Sequence, residues 1–237
     1  MKTCILINGN TRTIDKCIDN ISDTFDFLSP DYFISTYDLK YGYHPAVKNN
    51  LNYYEDIYLT EQYICDLYNK INVKGMLIEK HNESLNFYKA EKEKFNHKFL
   101  NLESSFLQYM KIKNGINIIE KYENINNFQY DLIIKTRNDI IHKKIEYDFT
   151  TLLNSNIVIV SDKNVFPNDC IIISARNNFI KIINNMVDEF YHAKYINSEA
   201  NPPHGLLEAS AINNGMLIQT VEIMNYVARI NTDQYYG

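Results

Sequence analysis

The chain has 237 residues, 45% of them hydrophobic and 22% charged, with a formal net charge of −5 at pH 7. That balance supports a buried core and excludes wholesale disorder. It also excludes a general nucleic-acid binder, which needs a basic face against phosphates, while leaving room for a local basic pocket around one diphosphate.

No Pro-, Ser- or Gly-rich linker divides the sequence and no internal repeat is visible, so residues 1–237 read as one domain. Cys4, Cys17, Cys65 and Cys170 are widely spaced and form no CxxC pair, which fits buried thiols in a reducing compartment better than a disulfide frame or zinc site. The apolar run at the N-terminus is too short for a signal peptide, and no stretch approaches the ~20 apolar residues of a membrane span. The expectation is a soluble, cytoplasmic protein.

In chain order, Cys4 to Ile7 reads as a strand and Asn8-Gly9-Asn10 as a turn. Thr11 or Thr13 caps the helix that follows, whose Ile14, Cys17, Ile18 and Ile21 repeat at helical spacing. Arg12 lies in that turn beside helix N-terminal amides, a place to hold an anion or simply an exposed Arg in a turn. Asp31 to Thr36 is a second strand, ending on Asp38. Residues 42–52 read as irregular, Glu55 to Asn72 as helix, and Met76 to Ile78 as a short third strand. Ser84 to Asn101, dominated by Lys, Glu, Asn and aromatic residues, reads as an exposed helix or flap. Glu103 to Tyr122 reads as a helix with Gly115 as its weak point.

Tyr130 to Asp139 organises the rest. Leu132, Ile133 and Ile134 form a short apolar run, as expected of a strand covered on both faces, and the run then stops on Arg137-Asn138-Asp139. A buried strand that delivers an acid at its carboxyl end is how open α/β sheets build ligand sites. A surface turn with an incidental Arg and Asp is the plainer alternative. Beyond it, Asn156 to Val160 and Asp169 to Ser174 are apolar runs. Asn177 or Asn178 caps a helix carrying Phe179, Ile182, Ile183, Met186, Val187 and Phe190. Residues 201–205 read as a loop, Leu206 to Asn214 as a helix closed by Gly215, and Val221 to Ile230 as a last strand or turn before a frayed tail.

Strands alternating with helices predict an α/β fold with an open, mixed but mostly parallel sheet flanked by helices. With Tyr130-Asp131-Leu132-Ile133-Ile134-Lys135-Thr136-Arg137-Asn138-Asp139 as its centre, the chain resembles nucleotide-diphospho-sugar glycosyltransferases of GT-A type. Within these it is most similar to small bacterial and viral members with a YDxxIRTRxD-like strand. The Asn8 to Arg12 turn, the Phe33 to Asp38 strand end, Gln108 to Lys111, Asn168-Asp169 and Pro203 to Gly215 carry the rest of the resemblance. It covers most of the chain outside residues 40–100, which the resemblance leaves as a more variable helical or flap insertion in a single GT-A-like domain.

The resemblance implies a glycosyltransferase that uses a nucleotide-diphospho-sugar donor and a glycan or lipid-linked acceptor, working as a monomer or homodimer. Such enzymes usually end this strand on Asp-x-Asp, which holds a divalent ion against the diphosphate; here Arg137 stands in the first acid's place. Asp139 is then the implied ligand for Mn²⁺ or Mg²⁺, or Arg137 replaces the ion's charge and clamps the phosphates itself. Gly9, Asn10, Arg12, Asp38, Gln108, Lys111 and Arg137 are the donor-binding candidates, and Asp169, Glu208 and His204 the catalytic ones, with Asp169 or Glu208 as the base of an inverting reaction. For each there is a plainer reading, as a strand-end acid, a solvent-facing helix residue or an incidental loop His. Two other functions fit the residues: a non-catalytic sugar-nucleotide or glycan-binding module with a worn metal motif, and another nucleotide-dependent α/β transferase.

Overall fold

The computed structural model describes residues 1–11, 13–40, 57–95, 102–144, 147–163, 166–192, 202–222 and 224–227, with the side chains of 102, 162–163, 166–169, 202–204 and 224–227 excepted. Arg12, the stretch 42–52 and the tail 228–237 lie outside the described residues.

β1 (Thr3–Gly9), β2 (Asp31–Tyr37), β3 (Val73–Glu79) and β4 (Leu132–Arg137) form a parallel block in the order β3-β2-β1-β4. β6 (Ile157–Lys163), β7 (Phe166–Ala175) and β8 (Leu217–Val221) extend it to seven strands, β3-β2-β1-β4-β7-β6-β8. β7 runs antiparallel to both neighbours and β8 parallel to β6, so the sheet is mixed and mostly parallel. A second, two-stranded sheet pairs β5 (Ile140–His142) with β9 (Met224–Val227).

Both faces are covered, which explains the unbroken apolar runs of β1 and β4. On one face, Ile5, Ile7, Ile34 and Ile134 meet Ile14, Cys17, Ile18, Ile21 and Phe25 of α1 (Ile14–Phe25) and Ile64 and Tyr68 at α2 (Glu61–Leu67). On the other, Cys4, Leu6, Phe33 and Ile133 meet α4 (Leu102–Asn126), α5 (Arg176–His192) and α6 (Pro202–Asn213). Among the described residues, no helix is long and apolar enough to cross a membrane.

Several boundaries differ from expectation. Thr60 accepts the Tyr63 amide hydrogen at 3.2 Å, so α2 starts on Glu61 rather than near residue 55. Of the stretch expected as an exposed helix or flap, the described part is the helix α3 (His81–Glu91) followed by Phe95, whose ring lies 4.9 Å from Phe106 and 5.9 Å from Phe190 and so rests on the core. α4 runs unbroken through Gly115, and since an added Cβ there would lie 2.5 Å from Leu6 Cδ1, the glycine admits close contact with β1. α5 begins at Arg176, so Asn177 and Asn178 lie inside its first turn, and Asn178 donates to the Ser155 carbonyl at 2.9 Å. α6 begins on Pro202, where a missing N–H costs nothing, and Gly215 closes it at φ +64°.

Candidate functional site

In the parallel block the chain leaves β1 through α1 toward β2, while β4 lies on β1's other side, so the connections diverge between β1 and β4. Open α/β sheets bind ligands beyond the strands' carboxyl ends at such a point. The last rung there aligns Ser35 of β2, Asn8 of β1 and Arg137 of β4. Register partners share a sheet face, so the three side chains stand in one row.

The β1–α1 turn is held tightly. Gly9 has φ +112°, which other residues rarely adopt. Its carbonyl accepts from Thr36 Oγ1 at 2.7 Å and from Asn138 Nδ2 at 2.9 Å, and the same Nδ2 donates to the Asn10 carbonyl at 3.1 Å. Asn138 Oδ1 accepts in turn from the Tyr68 hydroxyl at 2.6 Å. Asn138 therefore fixes the turn against β4 from the middle of the motif.

Two residues in this edge stand out. Asn8 is only 1% exposed, and neither its Nδ2 nor its Oδ1 has a hydrogen-bond partner among the described residues. The same holds for the buried Thr11 Oγ1 in the turn. Thr13 stands at the N-cap of α1 without a side-chain cap bond, so neither threonine fills the capping role expected of it. Each orphaned buried group costs about 1–3 kcal/mol, and native proteins keep few of them.

Arg137 spans the carboxylate of Asp139, with Nε on Oδ1 at 2.8 Å and Nη2 on Oδ2 at 2.6 Å. Asp139's side chain is 3% exposed and Arg137's 26%. Arg137 Nη1 lies 3.6 Å from Cys170 Sγ. On the α1 side, burial pushes the Cys17 thiol up to about 12, with the charge of Asp139 adding to the effect. The resemblance implies a divalent ion at Asp139. Both oxygens that would bind it are spanned by the guanidinium, and among the described residues no group of three His, Cys, Asp or Glu is arranged to hold a metal. The described donor set does not fit the ion.

Asp38 accepts the His81 amide hydrogen at 2.9 Å and lies 3.3 Å from Lys80 Nζ, so its carboxylate sits on the N-terminus of α3. With Tyr58, Lys80, Asn82 and Glu83 it lines an open cleft of about 340 Å³. Lys111 is buried in α4. Its Nζ donates to Glu79 Oε2 at 2.8 Å and to the Thr36 carbonyl at 2.9 Å, and stands 3.2 Å from the Tyr37 ring centroid. Burial lowers its pKa to about 8 against the opposing pull of Glu79. Lys111 thus ties α4 to the ends of β2 and β3. Gln108, one turn earlier, is half-buried.

The catalytic candidates come from the other half of the sheet. Asp169 lies on β7 next to Cys170, the contact of Arg137, so its backbone runs along this same edge; its side chain lies outside the described set. Glu208 is exposed on α6, and the side chain of His204, in the first turn of α6, is also outside the described set. Asn8, Asn138, Thr36 and Tyr68 were not among the site residues expected from the sequence, and Asn8, expected in the turn, lies in β1. For Asn8 a signal existed: an amide closing an otherwise apolar buried strand.

No family model matches the chain, and no curated protein does. Among solved structures, the chain is similar to a nucleoside-diphosphate-sugar pyrophosphorylase from Vibrio cholerae, with TM-score 0.43 and 9% identity over 91% of this chain and 90% of that one. It is similar to an active-site mutant of LgtC, with TM-score 0.47 and 7% identity over 93% and 72%. A complex of the galactosyltransferase LgtC with donor and acceptor sugar analogues gives TM-score 0.42 and 11% identity over 88% and 70%.

Proposed function

We propose that this chain is a glycosyltransferase that takes a sugar from a nucleotide-diphospho-sugar and gives it to a glycan or lipid-linked acceptor. The observation that carries the reading is the orphaned Asn8 amide in register with Arg137 at the divergence point of the sheet. A buried amide with neither atom met among the described residues calls for a polar ligand, and an arginine at the neighbouring register position suits an anionic one. A sugar nucleotide supplies both characters.

Glycosyl transfer leaves a nucleoside diphosphate on which negative charge develops, and prepositioned donors at that oxygen lower the barrier. Arg137 supplies the cationic donor at this edge, with Gly9 and Asn10 forming the pinned turn beside it and Arg12 two residues after Asn10. In an inverting reaction Asp169 or Glu208 would take the acceptor proton, with His204 near the acceptor. Asp38 borders a separate open cleft in which a nucleoside would meet Tyr58 and Asn82. The chain works as one domain, in the cytoplasm, as a monomer or homodimer.

A panel of UDP-, GDP-, CMP- and TDP-sugars in a thermal-shift assay tests the reading, followed by assay of nucleotide release with glycan and lipid-linked acceptors. A donor at about 100 times its dissociation constant adds about 2.7 kcal/mol of stability. A shift with turnover is expected. A shift without turnover for any acceptor would favour a binding module, and no shift with any donor would contradict both.

A further inference from the structure

We infer that the cation serving the donor's diphosphate is the guanidinium of Arg137, locked by Asp139, and that donor binding needs no divalent metal. This rests on the proposed sugar-nucleotide reading and departs from the metal-dependent form that the sequence resemblance implies.

The geometry argues it in three steps. The first acid of the usual Asp-x-Asp pair is absent, and an Arg occupies its place at the strand's end. The remaining acid, Asp139, presents both oxygens to that Arg at 2.8 and 2.6 Å, in the paired geometry that fixes the guanidinium plane. A divalent ion would have to displace a charge-assisted, two-point contact on a carboxylate that is nearly sealed from water. Finally, the Arg137 side chain is 26% exposed where that of Asp139 is 3%, so of the pair it is the cation that solvent and solutes reach.

The neighbours complete a metal-free cradle. Asn8, in register with Arg137, brings a buried amide whose Nδ2 has no partner among the described residues, a neutral donor on the adjacent strand. Asn138, in the centre of the motif, is spent on the Gly9 and Asn10 carbonyls and on Tyr68, so it shapes the turn and offers no oxygen to an ion. In this account Asp139 is a positioning residue for Arg137.

Calorimetric titration of the full chain with UDP, GDP and TDP tests this, in EDTA and again with Mn²⁺ or Mg²⁺, alongside Mn²⁺ titration monitored by electron paramagnetic resonance. The expected result is that the diphosphate that binds does so with the same affinity in EDTA, and that Mn²⁺ is not taken up by the protein. Arg137→Gln should weaken binding by more than about tenfold and Arg137→Lys by less, because the lysine keeps charge without the fork. Circular dichroism melts of each variant report whether it is folded. Binding that appears only with Mn²⁺, or that survives Arg137→Gln in a folded protein, would overturn the inference while leaving the sugar-nucleotide reading standing. No binding by any of the three diphosphates in either buffer would overturn both.

Discussion

The Tyr68 hydroxyl donates to Oδ1 of Asn138 across 2.6 Å, joining residues 70 positions apart behind the β1–α1 turn. Both side chains are buried, and the amide's other end holds the Gly9 and Asn10 carbonyls. Asn138→Ala strands the Asn10 carbonyl and the Tyr68 hydroxyl, since the Gly9 carbonyl keeps Thr36 Oγ1, and Tyr68→Phe strands only one group. At about 1–3 kcal/mol per stranded group after partial relaxation, Asn138→Ala should cost about 3 kcal/mol and Tyr68→Phe about 1 kcal/mol. Urea unfolding measures both, and equal costs would mean that Asn138 does not hold the turn.

Gly115 gives a sign prediction. Alanine in a helix interior is favoured over glycine by about 1 kcal/mol. Here the new Cβ would meet Leu6 Cδ1 at 2.5 Å and Cδ2 at 2.7 Å, inside a closed core. Overpacking costs about 1–3 kcal/mol, so Gly115→Ala should destabilise on balance. In a Leu6→Ala background, where the obstruction is gone, the same substitution should become stabilising. Thermal melts of the four proteins decide this.

His142 predicts a pH dependence. It is buried on β5, with Nε2 3.0 Å from Thr136 Oγ1, its ring edge-on to Phe25, and Nδ1 without a partner among the described residues. Burial lowers its pKa from the usual 6.5 to about 3. Between those values the unfolded chain binds a proton that the folded chain does not. Stability from this group is complete above pH 6.5 and is lost as pH falls toward 3, by about 1.4 kcal/mol per unit. His142→Gln should flatten the slope of unfolding free energy between pH 6 and 4.5 by about one proton. An unchanged slope would mean that the ring is hydrated or already charged.

The sequence carried the parallel block well, because β1, β2 and β4 are short apolar runs and α1 and α5 repeat at helical spacing. The missed elements have physical reasons. β5 is three residues long and β8 is an edge strand with polar positions, so periodicity had little to work on, whereas β9 falls within the strand or turn expected over Val221 to Ile230. Of Ser84 to Asn101, read as an exposed helix or flap, the described part is the mostly exposed helix α3 and the turn after it, with Tyr88 and Phe95 as its anchors on α4 and α5. At the site, Arg137 and Asp139 were legible as charges closing a buried strand, but their pairing was not. Lys111 looked like a phosphate ligand because spacing shows a helix face and not what lies opposite; Glu79 arrives from a strand 32 residues earlier.

The most direct test of the central claim is the substitution Asn8→Leu, read by unfolding with and without a sugar nucleotide. Leucine is close to asparagine in shape and removes the two orphaned atoms. If Asn8 is kept for a ligand, the variant alone should be more stable than the parent by about 1–3 kcal/mol, and should lose the stabilisation that the donor confers. A variant that is less stable than the parent, or that responds to the donor as the parent does, would contradict the claim that this edge of the sheet is built to hold one.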